Sequence, residues 1–184
     1  MRKFFLFSST FLISALIAGV YGIIHDQITY TISPEYFTRF KYIQFNANPE
    51  MFGGNRVTVG IIGFLASWWM GAITGLVVGG AGLFLKDHIL MKKVIIQSLC
   101  IVFVVTFSFA WLGLFVSKFY LIQTGVDWWL PENLQNKSNF VIAGTIHNFS
   151  YAGGVIGLLI SLIYFMKKQF DTKINKQASD QNEH

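Results

Sequence analysis

The sequence predicts an all-α integral membrane protein: a bundle of four transmembrane helices with a short helix lying at its outer surface. Three observations carry that expectation. Four segments are long and apolar enough to cross a bilayer, about 4–24, 57–85, 94–116 and 140–166, and none contains Asp, Glu, Lys or Arg. The chain is 53% hydrophobic and 12% charged, with a mean hydropathy of +0.52, too apolar for an ordinary soluble domain. The basic residues crowd into alternate connections between the apolar segments. Crossing a hydrocarbon core of ~30 Å takes about 20 apolar residues in a helix, whereas a closed barrel takes short alternating strands.

The first span, Phe4 to Ile24, follows Arg2 and Lys3 and could pass for a signal peptide. Its apolar run is longer than the usual core of ~7–15 residues, so an uncleaved anchor is expected. Next comes Ser33-Pro34-Glu35, a helix start. The Ser33 hydroxyl can accept a backbone N–H, proline is preorganised for the first helical position, and the dipole favours Glu35 in the first turn. Residues 34–41 read as a short interfacial helix with its aromatic side, Tyr36, Phe37 and Phe40, toward lipid or the bundle.

The second span, Val57 to Leu85, carries Gly71, Gly75 and Gly79 at GxxxG spacing, and the fourth carries Gly153, Gly154 and Gly157. Missing side chains let helix backbones approach closely, so spans two and four are expected to pack together. The same glycine faces could support a homo-oligomer. A tight connection leads into the third span, Val94 to Val116. The next loop holds Trp128 and Trp129, expected as anchors at the lipid–water boundary. The fourth span, Phe140 to Met166, closes a single domain over residues 1–168. Residues 169–184 form a polar tail expected to fray.

Nine Lys and Arg residues fall on the side of the termini and the short connection, and five on the side of the two long loops. The positive-inside rule therefore places both termini in the cytoplasm of a bacterial inner membrane, multi-pass, with the long loops outside. The net charge of +5 is a topology signal, and no nucleic-acid partner is expected. The lone Cys100 excludes an intramolecular disulfide or a multi-thiolate metal site.

Polar chemistry gathers in the outer half. His25 and Asp26 end the first span, and Glu35 opens the surface helix. His147 lies ~10–12 Å below the outer boundary at 1.5 Å rise per residue. Tyr151 shares its face. Trp68 lies too deep for an interfacial anchor. If His25, Asp26, Glu35 and His147 converge, they would suit Zn, Fe, Mn or Cu, or proton transfer. Tyr36, Trp68 and Tyr151 complete the candidate ligand set. The structural alternative makes His25, Asp26 and Glu35 helix caps and His147 a hydrogen-bonding bridge between spans. His88 lies on the opposite side, and His184 is terminal.

The stretches HDQITYTISPEYFT, ASWWMG and HNFSYAGG resemble an uncharacterised bacterial family of small polytopic membrane proteins. Its members carry His-Asp-Gln, Glu-Tyr-Phe-Thr, a Thr-Trp-Trp or similar step, and a late His-x-x-Ser-Tyr. The matching positions are His25, Asp26, Gln27, Glu35, Tyr36, Phe37, Thr38, Trp68, Trp69, His147, Ser150 and Tyr151. This chain has RFKYIQF where relatives continue with His-Pro, so it lacks a further histidine there. The resemblance implies this residue set and no particular reaction.

Walker, G-x-S-x-G and dinucleotide signatures are absent. The leading expectation is an outward-facing polar cluster that binds a metal or small ligand. A structural or accessory membrane protein is the alternative. A small-solute transporter ranks last, since no internal repeat or mid-span charge supports it.

Overall fold

The computed structural model describes the backbone of residues 1–182, with side chains through Thr172 and at Ile174; His184 lies outside the described residues. It is helical throughout: α1 (Arg2–Ile32), α2 (residues 34–44), α3 (Asn55–Gly82), α4 (His88–Thr124) and α5 (Lys137–Asn182). Four of these are long and apolar enough to cross a membrane, so the chain is an integral membrane bundle.

α1, α4 and α5 run past both ends of their apolar segments, whereas α3 starts at Asn55 and stops at Gly82, short of Leu85. α1 continues through His25-Asp26-Gln27 to Ile32 because its polar side chains find partners. The Thr29 and Thr31 hydroxyls donate back to the carbonyls of His25 and Gln27, at 3.1 and 2.9 Å. Gln27 Nε2 donates to the Arg56 carbonyl at 2.7 Å, and Arg56 Nη1 returns a bond to the Gln27 carbonyl at 3.0 Å. His25 and Asp26 are therefore not caps; Asp26 sits ~9 Å inside the end of α1 at 1.5 Å rise per residue. The tail expected to fray continues α5 to Asn182.

The bundle is two antiparallel pairs, α1 with α3 and α4 with α5, and the pairs touch each other sparsely. Glycines make both seams. A methyl group at Gly22 would collide with the Gly63 carbonyl oxygen, so the two backbones meet directly there. Gly71 and Gly75 lie on Ser14 and Phe11 of α1, while Gly153 and Gly157 lie on Phe109 and Val102 of α4. The expected pairing of spans two and four is thus replaced by pairing within each hairpin. Lipid offers no hydrophobic drive for association, so the closest backbone contact wins, and the nearest small-residue faces belong to sequence neighbours. These glycine faces are occupied within the chain, and an oligomer would have to use other surfaces.

α2 caps the end of the bundle that carries the long loops. Ser33 Oγ accepts the Tyr36 N–H at 3.2 Å, with Pro34 next and Glu35 in the first turn. A π-helical turn over Phe37–Lys41 follows, with both its end residues buried. Tyr36 and Phe37 face the bundle, packed with Tyr42, Val59, Ile62, Phe140 and Ala143. Trp128 joins this cap by lying over Gly144, whereas Trp129 is exposed. At the opposite end Lys3 Nζ donates to the Leu83 and Leu85 carbonyls, and Asp87 caps α4 by accepting the Ile89 and Leu90 N–H groups.

Candidate functional site

Three of the four predicted metal-ligand candidates meet. His25 and Asp26 on α1 face His147 on α5, so the cluster joins the two helix pairs where they otherwise barely touch. His147 Nε2 is 3.0 Å from Asp26 Oδ1, and His25 Nδ1 is 3.2 Å from the same oxygen. The two imidazoles stand nearly perpendicular, 4.6 Å between centroids. All three residues offer one ligand atom within 4.8 Å of the others. Asp26 and His147 side chains are 4% exposed and that of His25 10%, so water is largely excluded.

The outer nitrogen of each ring is also held. His147 Nδ1 lies 2.8 Å from the Ala143 carbonyl, and His25 Nε2 lies 3.1 Å from Ser150 Oγ. A carbonyl only accepts, so His147 carries its hydrogen on Nδ1. A neutral imidazole has one N–H, so Nε2 presents a lone pair to Asp26 Oδ1. An ionised carboxylate oxygen presents another. Two lone pairs at 3.0 Å repel unless a proton or a metal cation lies between them. Asp26 Oδ2 is buried with no hydrogen-bond partner, which leaves a further acceptor unsatisfied in a place where that is costly.

Glu35, the fourth candidate, is elsewhere. Its two oxygens accept the Gln135 and Asn136 N–H groups, each at 2.8 Å, tethering α2 to the loop before α5. Those backbone bonds hold its carboxyl below the usual range. The first-turn position that makes Glu35 a good helix-start residue also points it outward, away from the cluster. Trp68 is a second correction: it is 42% exposed on the outside of α3. Adjacent aromatic residues on a helix diverge by about 100°, so a deep Trp pair does not imply an inward one.

Tyr36 and Tyr151 are at the site. The Tyr36 ring roofs His147 at 4.8 Å between centroids, and burial raises its phenol pKa. Tyr151 borders a cavity of about 130 Å³ beneath the cluster. That cavity lies between the helix pairs, with Ser14, Ser67, Thr74 and Thr106 contributing hydroxyls. No family model, curated protein or solved structure matches the chain.

Two further participants are not evident from sequence. The Tyr21 ring lies 5.6 Å from that of His25, tilted by 36°, and its hydroxyl is buried without a hydrogen-bond partner. Its spacing of four from His25 is the signal that could have found it. Lys41 has the sequence character of a topology charge, yet it is 4% exposed beneath the cap. Burial lowers its pKa. The aromatic residues flanking it, Phe40 and Phe45, are the clue.

Proposed function

We propose that this chain is a multi-pass bacterial inner-membrane protein that holds one divalent first-row transition metal ion at His25, Asp26 and His147. The observation that carries this reading is the placement of His147, its Nδ1 2.8 Å from the Ala143 carbonyl and its Nε2 3.0 Å from Asp26 Oδ1, so that the neutral ring turns a lone pair toward a carboxylate oxygen. Metal-ligating histidines typically donate their other ring N–H to a carbonyl or similar acceptor, as His147 does to Ala143 and as His25 can to Ser150. Two ligands at ~2.1 Å from an ion stand roughly 3.0 Å apart at the right angles of an octahedral site and roughly 3.4 Å apart in a tetrahedral one. The observed separations of 3.0 and 3.2 Å to Asp26 Oδ1 fit. Two imidazoles and one carboxylate with positions left open suit Fe(II), with Zn(II) and Mn(II) close behind and Cu(II) less so. Asp26 Oδ2 and the adjoining cavity supply room for a further ligand.

The charge asymmetry of the loops supports cytoplasmic termini and a metal toward the outer face. The resemblance of these motifs to those of small bacterial membrane proteins supports the choice of residues and leaves the reaction open. A second reading is favoured by the same 3.0 Å contact, which is an ordinary hydrogen-bond length. In it, Asp26 and His147 share one proton, and the cluster is a clasp between helix pairs.

Elemental analysis separates the two. Protein purified through a tag without histidine, after exposure to Fe(II), Zn(II) or Mn(II), is expected to retain one ion per chain, and Asp26→Asn none. A wild-type chain that retains no ion under any of these conditions leaves the clasp as the function of the cluster.

A further inference from the structure

On the other side of His147 from the cavity, α3 and α5 part beneath α2 and leave a lateral groove of about 640 Å³. Its head is polar, with Lys41, Gln44, Asn148 and Tyr151. Its lower walls are apolar and open to the bilayer: Trp69 is 43% exposed and Val155 51%. Lys41 is the unusual member. Its residue is 4% exposed, and its Nζ lies 5.9, 5.9 and 5.7 Å from the ring centroids of Tyr36, Phe40 and Phe45. Among the described residues its ammonium has no hydrogen bond and no ion pair. Aromatic faces offset only part of the cost of taking an ammonium out of water. A buried cation that only aromatic faces and the Asp26 carboxylate, not in contact with it, help to offset, at the head of a groove open to lipid, calls for an anion with an apolar tail.

We propose that this groove binds a single-chain fatty carboxylate, its head on Lys41 and its chain between α3 and α5. One lysine balances one negative charge. The Gln44 and Asn148 amides can donate to the carboxylate oxygens left over. The slot lies between a single pair of helices, which suits one chain rather than two. The head sits under α2 at the polar boundary of the bundle, where a fatty acid's carboxylate stands in a bilayer. This assignment does not depend on a metal at the neighbouring cluster, and its test reads a different quantity.

The test is equilibrium binding of radiolabelled oleate to the full chain in non-ionic detergent. Lys41→Met is expected to weaken oleate binding by ~10-fold or more, the effect of losing one well-placed charge contact. Lys41→Arg restores it, and binding of uncharged oleyl alcohol is the same in wild type and Lys41→Met. Equal oleate affinity in wild type and Lys41→Met overturns the proposal. So does competition by dioleoylphosphatidylglycerol as effective as that by unlabelled oleate, which would make the groove a site for bulk lipid. Should Lys41→Met fail to fold, Val155→Trp fills the lower groove from an exposed position. That variant is expected to lose oleate, and undiminished binding in it overturns the proposal equally.

Discussion

Asp26 and His147 stand 121 positions apart in sequence and 3.0 Å apart in space, on helices from different pairs. Their contact is the polar join of the bundle, and the strongest predictions follow from it.

Asp26→Asn and His147→Ala should behave in opposite ways. The asparagine amide, turned with its NH₂ toward the histidines, donates one hydrogen to each inward lone pair. Every ring nitrogen then has a partner without an added proton, so thermal stability in detergent is expected to hold or rise slightly while metal binding disappears. His147→Ala takes away one of the two imidazoles on Asp26 Oδ1 and leaves the buried carboxylate with His25 alone, a destabilisation of up to roughly 3–5 kcal/mol, the range for a broken buried pair. Equal destabilisation by both variants would contradict the tautomer assigned to His147.

The seam between α1 and α3 has no room at Gly22. Gly22→Ala drives a methyl group into the Gly63 carbonyl, and overpacking of this kind costs about 1–3 kcal/mol. Gly53 has open space around it, and the left-handed φ of +81° there gives a separate backbone effect. Gly80→Ala is the cleaner control, since its nearest neighbour would be 3.9 Å away. Thermal melts of the two variants should diverge, with Gly80→Ala near wild type.

Acid should loosen the cap before it unfolds the bundle. Glu35 is held below the usual carboxylate range by the Gln135 and Asn136 N–H groups. A lowered folded pKa means its contribution is fully present above the unfolded value of about 4.3 and is lost as pH falls through the folded one. Amide-exchange protection at residues 135 and 136, corrected for intrinsic rates, is expected to drop in that acidic window. In Glu35→Gln it should already be low at neutral pH and should not change further. A drop that persists in Glu35→Gln would assign the pH response to another group.

Orientation can be read by labelling. In a Cys100→Ser background, Trp129→Cys should react with an impermeant maleimide in intact cells. Lys86→Cys should react only after lysis. The reverse pattern would place the cluster toward the cytoplasm.

The amino-acid order alone determined that the chain is a four-span helical membrane protein, because each span is a continuous apolar run whose backbone satisfies itself. It determined the start of α2 as well, since Ser33 caps it through a bond three residues long and Pro34 is preset for the first helical position. It also singled out His25, Asp26 and His147, because ionisable groups near hydrocarbon are conspicuous. Which helices pair was decided in three dimensions. GxxxG spacing marks a face that approaches closely but not the face it approaches, so Gly71 found Ser14 of α1 rather than α5. Tertiary structure also separated Glu35 from the cluster, turned Trp68 outward and brought Lys41 inward beneath three aromatic rings. A side chain's local spacing sets only its direction around its own helix. The partner that meets it depends on how the helices are rotated against one another, and close backbone packing along the glycine seams sets that rotation.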